Sequence, residues 1–312
     1  MANCPYCNKR LTPGVKFCRG HNIAYKNRLL AQYRIDSSED IKQELIKYGW
    51  FEFTISTKSR EEITYKFRKF GVELETISNE ESQVESAMNL AESLGVELET
   101  TTHNPRLSRK WKVMPDSSLH RGIGREFVSP PFTDESRAFL EIQHVCSAIN
   151  FNNISVNSSC GFHIHFDISD LIPREIARVM KFYQVYEQEI DEMHSPSRRR
   201  SVSTYCGSLV SYNFNPESIT TIDELTSIFS SRYLKVNIQA YLRHGTLEFR
   251  QHSGTVNSIK IIYWYKFCCK VIEYAKTCNP IDASVPLQTA LNFTTDEKTY
   301  WNSRIAKLRR GA

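Results

Sequence analysis

The 312-residue chain reads as an α+β protein with a largely antiparallel sheet and flanking helices. Three observations predict that class. Hydrophobic residues make up 40% of the sequence and aromatic residues 12%, enough for a sizeable core. Runs alternating every second residue are interspersed with runs of helical period, without a strict βαβ rhythm or a glycine-rich phosphate loop. Three alternating runs set chemically active side chains against apolar ones: Phe70-Gly-Val-Glu-Leu-Glu-Thr, Gly161-Phe-His-Ile-His-Phe-Asp and Thr246-Leu-Glu-Phe-Arg-Gln-His.

Taken in order, residues 1–25 form a compact cysteine motif and residues 26–65 a linking region. The linker predicts a helix over 39–48, introduced by Ser37 and Ser38 and stopped by Gly49, then a strand over 50–56. A third segment, 66–312, begins with a strand at 70–77. A helix over 80–94 follows, capped by Asn79, with apolar residues at Val84, Ala87, Met88, Ala91 and Leu94, and ended by Gly95. The hexapeptide Gly-Val-Glu-Leu-Glu-Thr at 71–76 recurs at 95–100 and predicts a neighbouring strand, with Glu97 and Glu99 as minor site candidates. Next come strands near 109–115 and ending at 126–131, a helix over 134–149, the His163 strand and a helix opened by Pro173 and running to Met193. A basic loop over 195–205 holds Arg198, Arg199 and Arg200. A short helix over 223–230, the Glu248 strand, an apolar helix over 258–276 and a polar helix over 295–310 complete the chain.

No apolar run approaches the roughly 20 residues needed to cross a bilayer. The first residues lack the basic start and apolar core of a signal peptide, so a cytoplasmic protein with reduced thiols is expected, with no membrane partner. Nine cysteines, irregularly spread and including the adjacent Cys268 and Cys269, are no disulfide framework. Residues 1–70 hold 14 Lys and Arg against 7 Asp and Glu; the remainder holds 26 against 28. Any contact with nucleic acid, or charge-driven contact with protein, is therefore expected in the basic N-terminal region.

Cys4-x2-Cys7-x10-Cys18-x2-His21 has the spacing of a structural Zn²⁺ site. The turn at Thr12-Pro13-Gly14 lets the two knuckles face each other, and four ligands leave no position open for catalysis. So short a segment would fold only with its metal.

Side chains two apart on a strand share a face. Glu73 with Glu75, His163 with His165, and Glu248 with Arg250 therefore project together, while Val72, Leu74, Ile164, Phe166, Leu247 and Phe249 pack behind. Taken alone, a Glu-x-Glu pair on a strand is usually a solvated face, and a His-x-His pair is more often structural or exposed than a ligand. Jointly, and with Glu126, they supply hard oxygen donors and one or two imidazoles, a mixture suited to Mg²⁺ or Mn²⁺ more than zinc. Arg250 adds the fixed positive charge that phosphoryl transfer requires.

Six segments in order carry a family likeness: Phe-Gly-Val-Glu-Leu-Glu (70–75), Trp-Lys-Val-Met-Pro-Asp-Ser-Ser (111–118), Glu-Phe-Val-Ser-Pro-Pro (126–131), Ser-Cys-Gly-Phe-His-Ile-His (159–165), Arg-Tyr-Leu-Lys-Val-Asn (232–237) and Gly-Thr-Leu-Glu-Phe-Arg-Gln-His-Ser-Gly-Thr (245–255). From about residue 66 to 280 the chain resembles the amidoligases of the glutamine synthetase and glutamate–cysteine ligase superfamily. The resemblance implies a curved sheet forming a catalytic funnel that holds ATP and Mg²⁺. It implies Glu73, Glu75, Glu126, His163 and Glu248 as metal ligands, with His165 either a further ligand or the group orienting His163. Arg250 would hold the transferring phosphoryl group, Glu75 would share in catalysis, and Asp116 would lie near the substrate. Arg232 and Asn237 match the motif, and Arg200 and Arg232 are candidate ATP-phosphate contacts. The N-terminal motif resembles instead small Cys-x2-Cys ribbons of phage and mobile-element proteins.

The expected activity is ATP-dependent joining of a carboxylate to an amine through an acyl phosphate; either substrate could be a small molecule, a peptide or a protein. A phosphotransferase on the same sheet, a metal-dependent nuclease or hydrolase guided by the ribbon, and a binding protein with a degenerate site remain alternatives.

Overall fold

The computed structural model describes residues 67–102, 108–277 and 281–310. The zinc motif, the linking region and the proposed boundary between them and the third segment lie outside the described residues. The elements are β1 (Phe70–Ser78), α1 (Glu81–Ser93), β2 (Leu98–Thr100), β3 (Trp111–Pro115), β4 (Ile123–Val128), α2 (Glu135–Phe151), β5 (Phe162–Asp167), α3 (Pro173–Glu192), α4 (Ile222–Ile228), β6 (Val236–Asn237), α5 (Ala240–His244), β7 (Thr246–Phe249), α6 (Ser258–Thr277), α7 (Leu287–Ala290) and α8 (Thr295–Arg310). The strand order is β2-β3-β4-β1-β5-β7-β6. The α+β class is as expected. The sheet is mixed, because β2 runs parallel to β3 while β3–β4, β1–β5, β5–β7 and β6–β7 are antiparallel. The repeated hexapeptide does yield a strand, β2, beside β3.

The chain divides into two compact units. One comprises Thr76–Asn157 with Val256–Ile259, and here α1 packs against α2. Helix α1 starts one residue later than its Asn79 cap predicted. The Gln83 side chain reaches back to accept from the backbone N–H of both Asn79 (2.8 Å) and Glu80 (3.2 Å), making Glu80 the cap. Gly95 ends the helix at φ +88°, a conformation glycine adopts without penalty. Asp134 caps α2 by accepting from Arg137 N–H at 2.7 Å, and the buried Trp111 indole donates to Glu141 at 3.1 Å.

The other unit comprises the described residues up to Glu75, Ser158–Thr255 and the described residues from Lys260 onward. Val72, Leu74, Ile164, Phe166, Leu247 and Phe249 are all 1% exposed or less, so the alternation of the three strands is realised. Behind them Phe70 and Phe166 meet Tyr265 of α6, with ring centroids 4.4 and 5.7 Å apart, and Phe249 meets Tyr183 of α3 at 6.1 Å. Among the described residues no helix is long and apolar enough to cross a membrane.

At the entry to β1, Arg68 is buried and its guanidinium is fully engaged. It donates to both carboxylate oxygens of Asp170 (2.5 and 2.8 Å) and twice to Glu273 Oε1 (3.0 and 2.8 Å). The Arg68 hydrogen bond is the main cause of the low Asp170 pKa; burial opposes it and Lys276 adds to it. A depressed carboxylate pKa stabilises the fold above the unfolded value of about 4 and ceases to do so as pH falls through the folded one. Asp170→Ala is therefore expected to lower stability at pH 7 by about 1–2 kcal/mol, less than for a fully buried pair because Asp170 is 40% exposed. Urea titrations at pH 7 and pH 3 check it: the gap between variant and parent should shrink at the lower pH.

Candidate active site

The register of three strands brings the predicted polar residues side by side. Glu73 lies opposite His163 across β1–β5, His165 opposite Glu248 across β5–β7, and Asn237 opposite Glu248 across β6–β7. All these residues belong to the second unit. Pairing partners stand about 5 Å apart, so a constellation scattered over 175 positions of sequence becomes one cluster on the face opposite the core.

His163 Nδ1 lies 3.1 Å from Glu73 Oε2 and 3.5 Å from Glu248 Oε1, while its Nε2 lies 3.6 Å from Glu75 Oε1. His165 Nδ1 is 3.0 Å from Thr246 Oγ1, which turns Nε2 toward Glu73 Oε1 at 3.3 Å and Glu248 Oε1 at 3.7 Å. That Nε2 is buried and makes no hydrogen bond. One ligand atom from each of Glu73, His165 and Glu248 lies within 4.8 Å of the others. Both oxygens of Glu248 are tied: Asn237 Nδ2 donates to Oε2 at 2.6 Å, and an Arg250 guanidinium nitrogen donates to Oε1. Arg250 Nε donates in turn to the Tyr205 carbonyl at 3.4 Å.

The charges of this cluster depend on one another. Burial opposes ionisation of Glu73, yet the charge on His165 and the hydrogen bond from His163 hold its carboxyl well below the usual carboxylate range. Burial also disfavours the His165 imidazolium, but Glu73 and Glu248 outweigh it and raise its pKa. For Glu248 burial is offset by Arg250, then by His165 and His163, and the carboxyl is held low. Three carboxylates, Glu73, Glu75 and Glu248, thus face one guanidinium and two imidazoles. The carboxylates outnumber the fixed positive charge of Arg250, a surplus that favours a cation. Carboxylate oxygens with one imidazole nitrogen are donors that Mg²⁺ or Mn²⁺ accepts, and the orphaned Nε2 fits a ligand atom.

The other expected residues are placed as follows. Glu126 is on β4 of the first unit, opposite Met114, and half-buried. Asp116, in the same unit, accepts from the Ser118 amide (2.9 Å) and hydroxyl (2.7 Å), closing its own turn. Glu99 lies on β2 opposite Lys112, and Glu97 meets Lys110 at 3.8 Å. In the second unit Arg232 is exposed, its guanidinium 5.1 Å from the Tyr233 ring. Arg198 is buried and donates to the Cys160 carbonyl, Arg199 donates to the His194 carbonyl at 2.9 Å, and the Arg200 side chain is exposed.

Four contributors escaped sequence reasoning. Asn237 matched a motif without a role; its partner emerges only from the β6–β7 pairing. Thr246 had a signal, since it extends the two-residue period of Glu248 and Arg250. Gly161 donates its N–H to Glu75, and a Cβ there would sit 2.6 Å from His163 Nε2, so glycine is required for close approach. His244, at the end of α5, sets its ring 5.8 Å from that of His165.

Residues 66–272 match the model of the family described as "Putative amidoligase enzyme". A search of curated proteins finds no match to the chain.

Proposed function

Because the chain belongs to this amidoligase family, we propose that it is an ATP- and Mg²⁺-dependent carboxylate–amine ligase working through an acyl phosphate. The observation that supports this best is the convergence of Glu73, His165 Nε2 and Glu248 beside a guanidinium fixed on the same Glu248. These three residues would hold Mg²⁺, with His163 and Glu75 extending the donor set. When bound, Mg²⁺ supplies charge that neutralises the ATP phosphates.

In this reading the substrate carboxylate attacks the γ-phosphorus, the bond to the bridging oxygen breaks and ADP leaves. Arg250 stabilises the negative charge spread over the transferring oxygens, and its fixed position avoids reorganisation at that moment. The amine nitrogen then attacks the acyl carbon, inorganic phosphate departs, and the proton of the new C–N link passes to a nearby base. Amide formation from free acid and amine is unfavourable in water, so energy from ATP is needed and water must be kept from the acyl phosphate. The glutamine synthetase-like funnel, the Arg200 and Arg232 phosphate contacts and the N-terminal zinc ribbon are further parts of the same proposal.

The purified full chain, given ATP, Mg²⁺ and a panel of acids and amines, should release ADP and phosphate and form an amide. Glu248→Ala removes a ligand and the anchor of Arg250, and is expected to lower that turnover by at least about 10²-fold. Unchanged turnover in this variant would refute the assignment. A phosphorylated product without an amide would identify a phosphotransferase, and ATP-independent cleavage of nucleic acid a nuclease.

A further inference from the structure

Lys235 is fully buried, an unusual place for an ammonium group. Its Nζ donates to Glu187 Oε1 at 2.8 Å and to Asp191 Oδ1 at 2.5 Å. These carboxylates stand four residues apart on one face of α3, and both are buried. Their other oxygens accept from the backbone of a longer loop, 198–209, that includes the end of the basic segment. Asp191 Oδ2 accepts from Arg200 N–H at 2.7 Å, and Glu187 Oε2 accepts from Leu209 N–H at 2.8 Å. The two ends of the loop are thereby fastened to one ion cluster.

The same cluster reaches Arg250 by three routes. The Lys235 carbonyl accepts from Arg250 N–H at 2.8 Å. Gln251, the next residue, donates to Asp191 Oδ1 at 2.5 Å and to the Arg198 carbonyl at 3.1 Å, while its own oxygen accepts from Tyr183. Between the fastened ends lies Tyr205, whose carbonyl holds Arg250 Nε, and Gly207, which exchanges backbone hydrogen bonds with Tyr233 (2.6 Å) and Lys235 (2.9 Å). Without the ammonium, two buried carboxylates would face each other and repel, releasing the loop.

We infer that Lys235 is a positioning residue for Arg250: through Glu187 and Asp191 it fixes the 198–209 loop and the strand end that aim the guanidinium at Glu248. The role of that guanidinium in phosphoryl transfer rests on the ligase reading; the mechanical role of Lys235 does not.

The test is Lys235→Met in the full chain, which keeps the stem and removes the charge. Hydrogen–deuterium exchange should speed up at least tenfold at the amides of Arg200, Gly207, Leu209 and Arg250, while amides in the middle of α6 stay as protected as in the parent. In the ADP-release assay kcat should fall at least tenfold with KM changed less than threefold, a split that general destabilisation would not produce. Should Lys235→Met fail to fold, Asp191→Asn, which keeps the volume and removes one acceptor, is read by the same two measurements. Unchanged exchange at the four amides overturns the inference, and so does faster exchange with an unchanged kcat. If the parent chain releases no ADP, the ligase reading fails, and the exchange arm alone decides whether Lys235 holds Arg250.

Discussion

Arg250→Ala is expected to lower turnover by about 10²–10³-fold, mostly in kcat, because the variant loses a donor aimed at charge that develops in the transition state. The guanidinium is only 9% exposed on its side chain and is held by Glu248 on one side and the Tyr205 carbonyl on the other. Burial alone would lower its pKa, but Glu248 and then Glu73 outweigh that and raise it, so the positive charge persists throughout the useful pH range. Arg250→Lys separates charge from geometry. Lysine keeps the charge but cannot bond Glu248 and Tyr205 at once, and about 10–10²-fold of the loss should remain. Steady-state ADP release for parent and both variants checks this. Equal rates for alanine and arginine at position 250 would remove the phosphoryl-transfer role.

A steep loss of stability between pH 6.5 and 4.5 is the second large effect. His194 is fully buried, edge-on to Trp264 at 4.7 Å and to His252 at 5.4 Å, and neither of its ring nitrogens has a hydrogen-bond partner. His252 is also buried; its Nδ1 donates to the Ser253 carbonyl at 2.7 Å, and an Arg304 guanidinium nitrogen lies 3.4 Å from Nε2. Burial holds both pKa values well below the usual range. His252, Arg304, Lys235 and Arg198 push His194 the same way, and Arg304, Lys260 and Arg198 do so for His252. In the first unit His144 is lowered to about 4 by burial, against a backbone hydrogen bond at Leu94.

The unfolded chain takes up these protons below about pH 6.5 and the folded chain does not, so stability is complete above that pH and declines as pH falls. Each histidine contributes up to about 1.4 kcal/mol per pH unit, hence up to about 3 kcal/mol per unit for His194 and His252 together. Urea unfolding at pH 7.5, 6.0 and 5.0 measures the slope. His194→Leu should reduce it by one proton's worth, and a slope that this substitution leaves unchanged would show that the imidazole titrates normally in the fold.

Much of this was legible from residue order. The alternation in 70–77, 161–167 and 246–252 identified strands and told core face from active face, because side-chain direction in a strand follows from backbone geometry alone. The helices at 134–149, 173–193 and 258–276 were equally legible through their period and, for the first two, through Asp134 and Pro173 at their starts. The elements that escaped are short for their kind: β6 with two residues, less than one strand repeat, and α5 with five and α7 with four, little more than one helical turn. Residue types also named the candidate chemistry at Glu73, Glu75, His163, His165, Glu248 and Arg250.

Sequence by itself therefore determined which side chains face away from the core, and that they are carboxylates, imidazoles and a guanidinium. Tertiary structure decided which of them meet. Only strand pairing sets Glu73 against His163 and His165 against Glu248, binds Asn237 to Glu248, and buries Lys235 between Glu187 and Asp191. Facing direction is a local property, repeated every two residues along one strand. Register and burial depend on hydrogen bonds and packing between segments far apart in the chain, and local periodicity does not encode them.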